Sequence, residues 1–193
     1  MKKDIILAGV GGQGILSIAA IIGYAAVNTG LFLKQAEVHG MSQRGGDVQS
    51  NLRLSDKEIA SDLIPKGKAD LIISVEPMES LRYLPWLSTE GWLITNTNPY
   101  INIPNYPDIA DVLKEVKSVS NHIAIDAEQI AKDLGSVRSA NVVILGASSP
   151  FLGIEYEKLE ESIKIIFQAK GEKIIQLNLD ALKAGQKFSE NYR

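Results

Sequence analysis

The sequence predicts a doubly wound, Rossmann-like α/β domain with a mostly parallel sheet, on three observations. A continuous apolar run, Asp4-Ile5-Ile6-Leu7-Ala8, ends in glycines, as a strand buried on both faces does. Apolar runs of this kind then alternate with helix-period segments along the chain. The composition also suits a folded soluble protein: 193 residues, 45% hydrophobic, 22% charged.

After the first strand, Ile15, Ile18, Ala19, Ile22 and Ala26 recur at helical spacing, and Asn28-Thr29-Gly30 supplies a stop. The run from Ile15 to Val27 is too short to cross a bilayer and reads as a buried helix. Leu31-Phe32-Leu33 is expected to complete a βαβ unit. Val48, Ser50, Leu52 and Leu54 alternate with polar residues, and Ser55-Asp56 is read as the turn of an inserted hairpin whose second arm is Glu58-Ile59-Ala60.

Ala69 to Val75 is the next buried strand. Glu76-Pro77 opens a helix carrying Met78, Leu81 and Leu84, with proline in its favoured first-turn position. Met78, Tyr83 and Trp86 are read as core. Gly91 to Thr95 forms a further strand, and residues 96 to 107, with Pro99, Pro104 and Pro107, form an extended loop. Asp108 caps a short helix holding Ile109, Val112 and Leu113. His122 to Ile125 is the last strand, His122 being a packing residue. The C-terminal third is helical: one segment runs to Gly135, one from Ala140 to just before Pro150, one through Leu159, Ile163 and Phe167, and one from Ile174 to Gly185. Residues 1–193 are read as a single domain.

The net charge of −3 carries no basic footprint, so neither nucleic acid nor an anionic membrane is an expected partner. The absence of cysteine excludes a disulfide, a thiolate zinc site, a cysteine nucleophile and iron–sulfur ligation by this chain. Two histidines without HExxH spacing give no metal site, and a start lacking a leader pattern gives a cytoplasmic protein.

Two segments could carry chemistry. Gly9-Val10-Gly11-Gly12-Gln13-Gly14 satisfies G-x-G-x-x-G between a strand and a helix, where N–H groups and the helix dipole favour an anion. Glu37 follows Gly14 by 37 − 14 = 23 positions, about where a ribose-binding acid would fall, so a stand-alone NAD-dependent dehydrogenase remains one reading. The second segment, His39-Gly40-Met41-Ser42-Gln43-Arg44-Gly45-Gly46, is either a solvated turn or a cluster of hydrogen-bonding groups for a ligand or partner.

The glycine motif, E-V-H-G-M-S-Q-R-G-G from Glu37 to Gly46, Val48-Gln49-Ser50, Glu76-Pro77 and Asn141 to Gly146 resemble, in order, the gamma-type domain of the 2-oxoacid (pyruvate/ketoisovalerate):ferredoxin oxidoreductases. The pattern is most similar to the branch in which this domain is a separate small subunit, the beta subunit of the indolepyruvate enzymes. The resemblance implies oxidative decarboxylation of an aryl pyruvate to an acyl-CoA with reduction of ferredoxin. It places thiamine diphosphate, Mg and [4Fe-4S] clusters on a large alpha subunit, since neither cysteine nor the thiamine motif is present, and makes CoA a co-substrate. Gly11, Gly12, Gln13 and Gly14 with Ser42, Gln43 and Arg44 are then the candidate anion-binding residues, and Glu37 and His39 the candidate proton carriers. A subunit with a purely structural role is the third reading.

Overall fold

The computed structural model describes residues 1–39 and 45–192, with His39 described by its backbone alone. A six-stranded sheet runs in the order β2-β3-β1-β4-β5-β6. Its strands are β1 (Lys2–Val10), β2 (Phe32–His39), β3 (Asp47–Ser55), β4 (Ala69–Ser74), β5 (Leu87–Asn96) and β6 (His122–Ile125). β1, β4, β5 and β6 are paired parallel, and β3 lies antiparallel between β1 and β2.

This arrangement corrects the expected start of the chain. The hairpin is formed by β2 and β3, with the chain reversing between His39 and Asp47, and residues 58–60 form no strand. The expected βαβ unit is split, because β3 occupies the place beside β1 that β2 would have taken. β2 also extends six residues past Leu33, to His39, and is the sheet edge. Alternation in the segment 48–54 told correctly that it is a strand. It could not tell which neighbour the strand pairs with, because either pairing satisfies the same period of two.

The apolar run of β1 is explained by two cores. Ile5 and Leu7 pack into a large core on one sheet face with Leu52, Leu54, Leu71 and Ile73. Ile6 and Ala8 face a smaller one with Ile64, Ile72, Tyr83 and Val116. The large core is roofed by α1 (Ile15–Asn28), α4 (Ala127–Asp133), α5 (Ala140–Leu152), α6 (Tyr156–Ile166) and α7 (Glu172–Ser189), and the smaller by α2 (Pro77–Arg82) and α3 (Ile109–Ser118). Asp108 caps α3 through the amide of Ala110, as expected. α2 ends at Arg82, leaving Leu84 in a 3-10 turn, and α5 continues through Pro150 to Leu152. Tyr83 is buried against the edge of Trp86, and His122 Nδ1 lies 2.7 Å from the carbonyl of Val119.

α5 and α7 cross in backbone contact at glycines. A Cβ on Gly146 would stand 2.0 Å from the Leu182 carbonyl oxygen, and one on Gly185 would stand 2.0 Å from that of Val143. Both obstacles are backbone, so the helices would have to separate. Gly146→Ala is therefore expected to cost about 3 kcal/mol or more in urea denaturation, despite alanine's higher helix propensity. Gly23→Ala in α1 meets only the end of the Leu33 side chain, at 3.1 Å, and should change stability by less than about 1 kcal/mol.

Candidate functional site

The parallel strands end together at one rim of the sheet, where ligands of open α/β sheets ordinarily bind. The glycine turn after β1 is built by its own backbone and one side chain. Gln13 Oε1 accepts from the amide of Val10 at 2.8 Å, and the Gln13 amide donates to the Val10 carbonyl at 3.1 Å. Gly12 and Gly14 have φ of +102° and +84°, the region that favours glycine. Gly14 is further fixed by Asn141 Nδ2, which donates to its carbonyl at 3.0 Å and which a Cβ would approach to 2.5 Å. Among the described residues nothing lies within 4 Å of a notional Cβ on Gly12.

This turn forms one wall of a cavity of about 480 Å³. The rest of its lining includes Arg138 and Asn141 around the start of α5, Lys170 just before α7 and Asn178 within it. Glu128 is the acidic residue among the described lining residues. The helix termini of α1 and α5 both open here without a side-chain cap. Arg138 and Lys170 were not foreseen from the sequence. Each simply precedes a helix, and only the convergence of α5 and α7 on the glycine turn brings them together.

Of the residues singled out in advance, Gly12, Gln13 and Gly14 line the cavity, with the Gln13 oxygen committed to closing the turn. Gly11 faces the hairpin, donating to the Gly46 carbonyl at 2.8 Å. Glu37 lies within β2, half-buried, opposite Ser50, which in turn pairs with Leu7. It is thus two strands from β1 and level with a residue well below the turn. An acid that reads a ribose stands on the strand adjacent to the first, so this placement opposes the dinucleotide reading. His39 ends β2, and its side chain, like Ser42, Gln43 and Arg44, lies outside the described residues.

A second cluster sits at the end of β4. Glu76 is fully buried and caps α2, accepting from the Glu79 amide at 2.8 Å. Its other oxygen accepts from the Tyr106 hydroxyl and from the Tyr100 amide at 3.3 Å. The loop after β5 is thereby strapped across the rim. Asn102 Nδ2 carries it further, donating to the Gly45 carbonyl at 2.6 Å. Burial pushes the Glu76 carboxyl above the usual carboxylate range, partly offset by these three donors. The Tyr106 hydroxyl is raised, by burial and by Glu76, and burial pushes Tyr83 to about 12.

Among the described residues no group of three or more His, Asp or Glu side chains is placed to hold a metal ion. With no cysteine in the chain, the residues present do not fit an iron–sulfur cluster held by thiolates. No helix is long and apolar enough to cross a membrane, again among the described residues.

The family model for pyruvate ferredoxin/flavodoxin oxidoreductase matches residues 4–188. The chain belongs to this family. Among its relatives, the indolepyruvate oxidoreductase subunit IorB of Archaeoglobus fulgidus is 40% identical, covering 96% of this chain and 94% of the relative. The protein of the same description from Pyrococcus horikoshii is 36% identical over 98% of both chains. In fold, the gamma subunit of a keto/oxoacid ferredoxin oxidoreductase from Geobacter sulfurreducens aligns with a TM-score of 0.74 at 23% identity, over 98% of this chain and 99% of that one. A 2-oxoglutarate:ferredoxin oxidoreductase of Magnetococcus marinus, described with 2-oxoglutarate, coenzyme A and succinyl-CoA bound, contains the same fold as 32% of a longer chain, with a TM-score of 0.78 at 22% identity. The same fold thus occurs both as a separate chain and as part of a longer polypeptide.

Because the Glu76 carboxyl is raised, the folded protein holds that proton more tightly than the unfolded chain, whose carboxyl titrates near 4.5. Its burial cost is absent below that pH and grows as pH rises toward the raised folded value. Urea denaturation of wild type and Glu76→Gln across pH 4 to 8 should show the variant gaining relative stability with rising pH. A difference that stays constant with pH would contradict the shift.

Proposed function

We propose that this chain is the small subunit of an indolepyruvate-type 2-oxoacid:ferredoxin oxidoreductase. The observation that carries the proposal is its end-to-end likeness, at 36 to 40% identity, to two small subunits of indolepyruvate oxidoreductases. In the reaction, a 2-oxoacid loses carbon dioxide, its acyl group passes to the thiol of CoA, and two electrons leave to ferredoxin. Thiamine diphosphate, Mg and the [4Fe-4S] clusters belong to a large alpha subunit in this reading, and this chain works beside it in the cytoplasm.

This chain's own part is to close the reaction chamber and hold an anionic group of a reactant. The Gly12 to Gly14 turn presents backbone to the cavity, and Arg138 and Lys170 supply positive charge across it. A carboxylate of the 2-oxoacid and a phosphate of CoA are the two anions the reaction offers. Ser42, Gln43 and Arg44 extend the same polar wall in the sequence reading, and Glu37 and His39 remain its proton-carrying candidates.

The isolated chain should show no 2-oxoacid oxidation and no micromolar calorimetric affinity for NAD. Activity should appear on mixing with the cofactor-bearing large subunit, with kcat/KM higher for indolepyruvate than for pyruvate. In that complex, Arg138→Ala should lower kcat/KM by roughly tenfold to a hundredfold, the effect of losing about 1.5 to 3 kcal/mol of charge-assisted bonding. Separate measurement for 2-oxoacid and for CoA identifies the anion. Unchanged values for both would leave the subunit as scaffold, and pyruvate as the better substrate would refute the indolepyruvate assignment.

A further inference from the structure

The loop between β5 and α3 has a composition unlike the rest of the chain. Charged residues make up 22% of the protein, yet none occurs from Thr97 to Pro107. The loop exposes large apolar groups instead: Ile101 is 72% exposed, Tyr100 45% and Ile103 37%. A solvated loop ordinarily carries polar and charged side chains, whereas a surface awaiting a partner is depleted in charge and enriched in aromatic and apolar anchors.

The loop is also held in place. The buried Glu76 carboxylate grips it at Tyr100 and Tyr106, and Asn102 ties it to Gly45. Burying a carboxylate without a cationic partner is costly, and this one holds exposed apolar side chains in a fixed position rather than filling a core. Ordering a surface before association lowers the entropy lost on binding. Through Gly45 and Gly46 the loop adjoins the backbone of Gly11, so it is continuous with the glycine turn of the candidate site.

We infer that the 97–107 strap, preset by Glu76 and Tyr106, is a docking surface for the cofactor-bearing large subunit. The inference rests on the function proposed above. Continuity decides the occupant: whatever brings cofactors to the glycine turn must cover the same rim, and its contacting face must be uncharged where it meets Tyr100, Ile101 and Ile103. The outer side of α1, where Leu16, Tyr24 and Val27 are exposed, is the competing apolar face.

The test measures the Kd between the small subunit and the purified large subunit of the same cell, by biolayer interferometry. Ile101→Glu, at an exposed position that cannot disturb the fold, should weaken association at least tenfold. Tyr106→Phe, which removes the hydroxyl that Glu76 accepts, should weaken it by a smaller factor while leaving the exposed face chemically intact. Val27→Glu should assemble like wild type. Wild-type affinity for Ile101→Glu would overturn the inference, as would a loss confined to Val27→Glu. A change only in self-association of the small subunit, read by analytical ultracentrifugation, would assign the strap to a second copy and overturn it too. If the wild-type chain itself does not bind the large subunit, the proposed function fails, an outcome distinct from a strap variant that binds normally.

Discussion

The antiparallel strand β3 pairs with β1 along its whole length and with β2 on its other side, and the site is built around that insertion. Backbone hydrogen bonds fix the register, placing Val48 opposite Gly9 and Asp47 opposite Val10. The hairpin therefore ends beside the glycine turn, and Gly11 donates to Gly46 across the gap. In an ordinary dinucleotide domain the second parallel strand stands next to the first and its terminal acid overlooks the turn. Here β3 takes that place, so the same glycine motif opens onto a different neighbourhood.

On the other side of the turn, the close crossing of α5 and α7 has a comparable effect. Their backbones touch at Gly146 and Gly185, which brings the start of α5 and the flank of α7 over the rim where the strands end. Asn141 then reaches the Gly14 carbonyl, and Arg138 and Lys170 face the cavity. A packing detail deep in the large core thus decides the electrostatics of a surface cavity. The described lining of the cavity thus combines the glycine turn with two cations, Arg138 and Lys170.

Glu76 links the second, smaller core to the same rim. Its carboxylate caps α2 and anchors the charge-free strap, so one buried group organises a helix start and a loop that forms no strand. Three donors offset its burial only in part, which is why its proton affinity rises. Such a group stabilises poorly but orients well.

Much of this was legible in the residues. The period of apolar positions located every strand of the parallel part and all the long helices, because burial on one or two faces imposes that period regardless of the neighbour. Glycine spacing marked the turn, because positive φ at Gly12 and Gly14 is available to few other residues. The lack of cysteine ruled out thiolate chemistry by this chain without any fold. What the sequence could not determine was pairing: the alternation in 48–54 fits β2 as well as it fits 58–60, since a strand's pattern records which face is buried and not which strand lies beside it. Nor could it join Arg138, Lys170 and the glycine turn, or Glu76, Tyr106 and Gly45. Those neighbours are far apart in the chain, and only the tertiary structure, through two glycine-lined helix backbones and one inserted strand, decided that they meet.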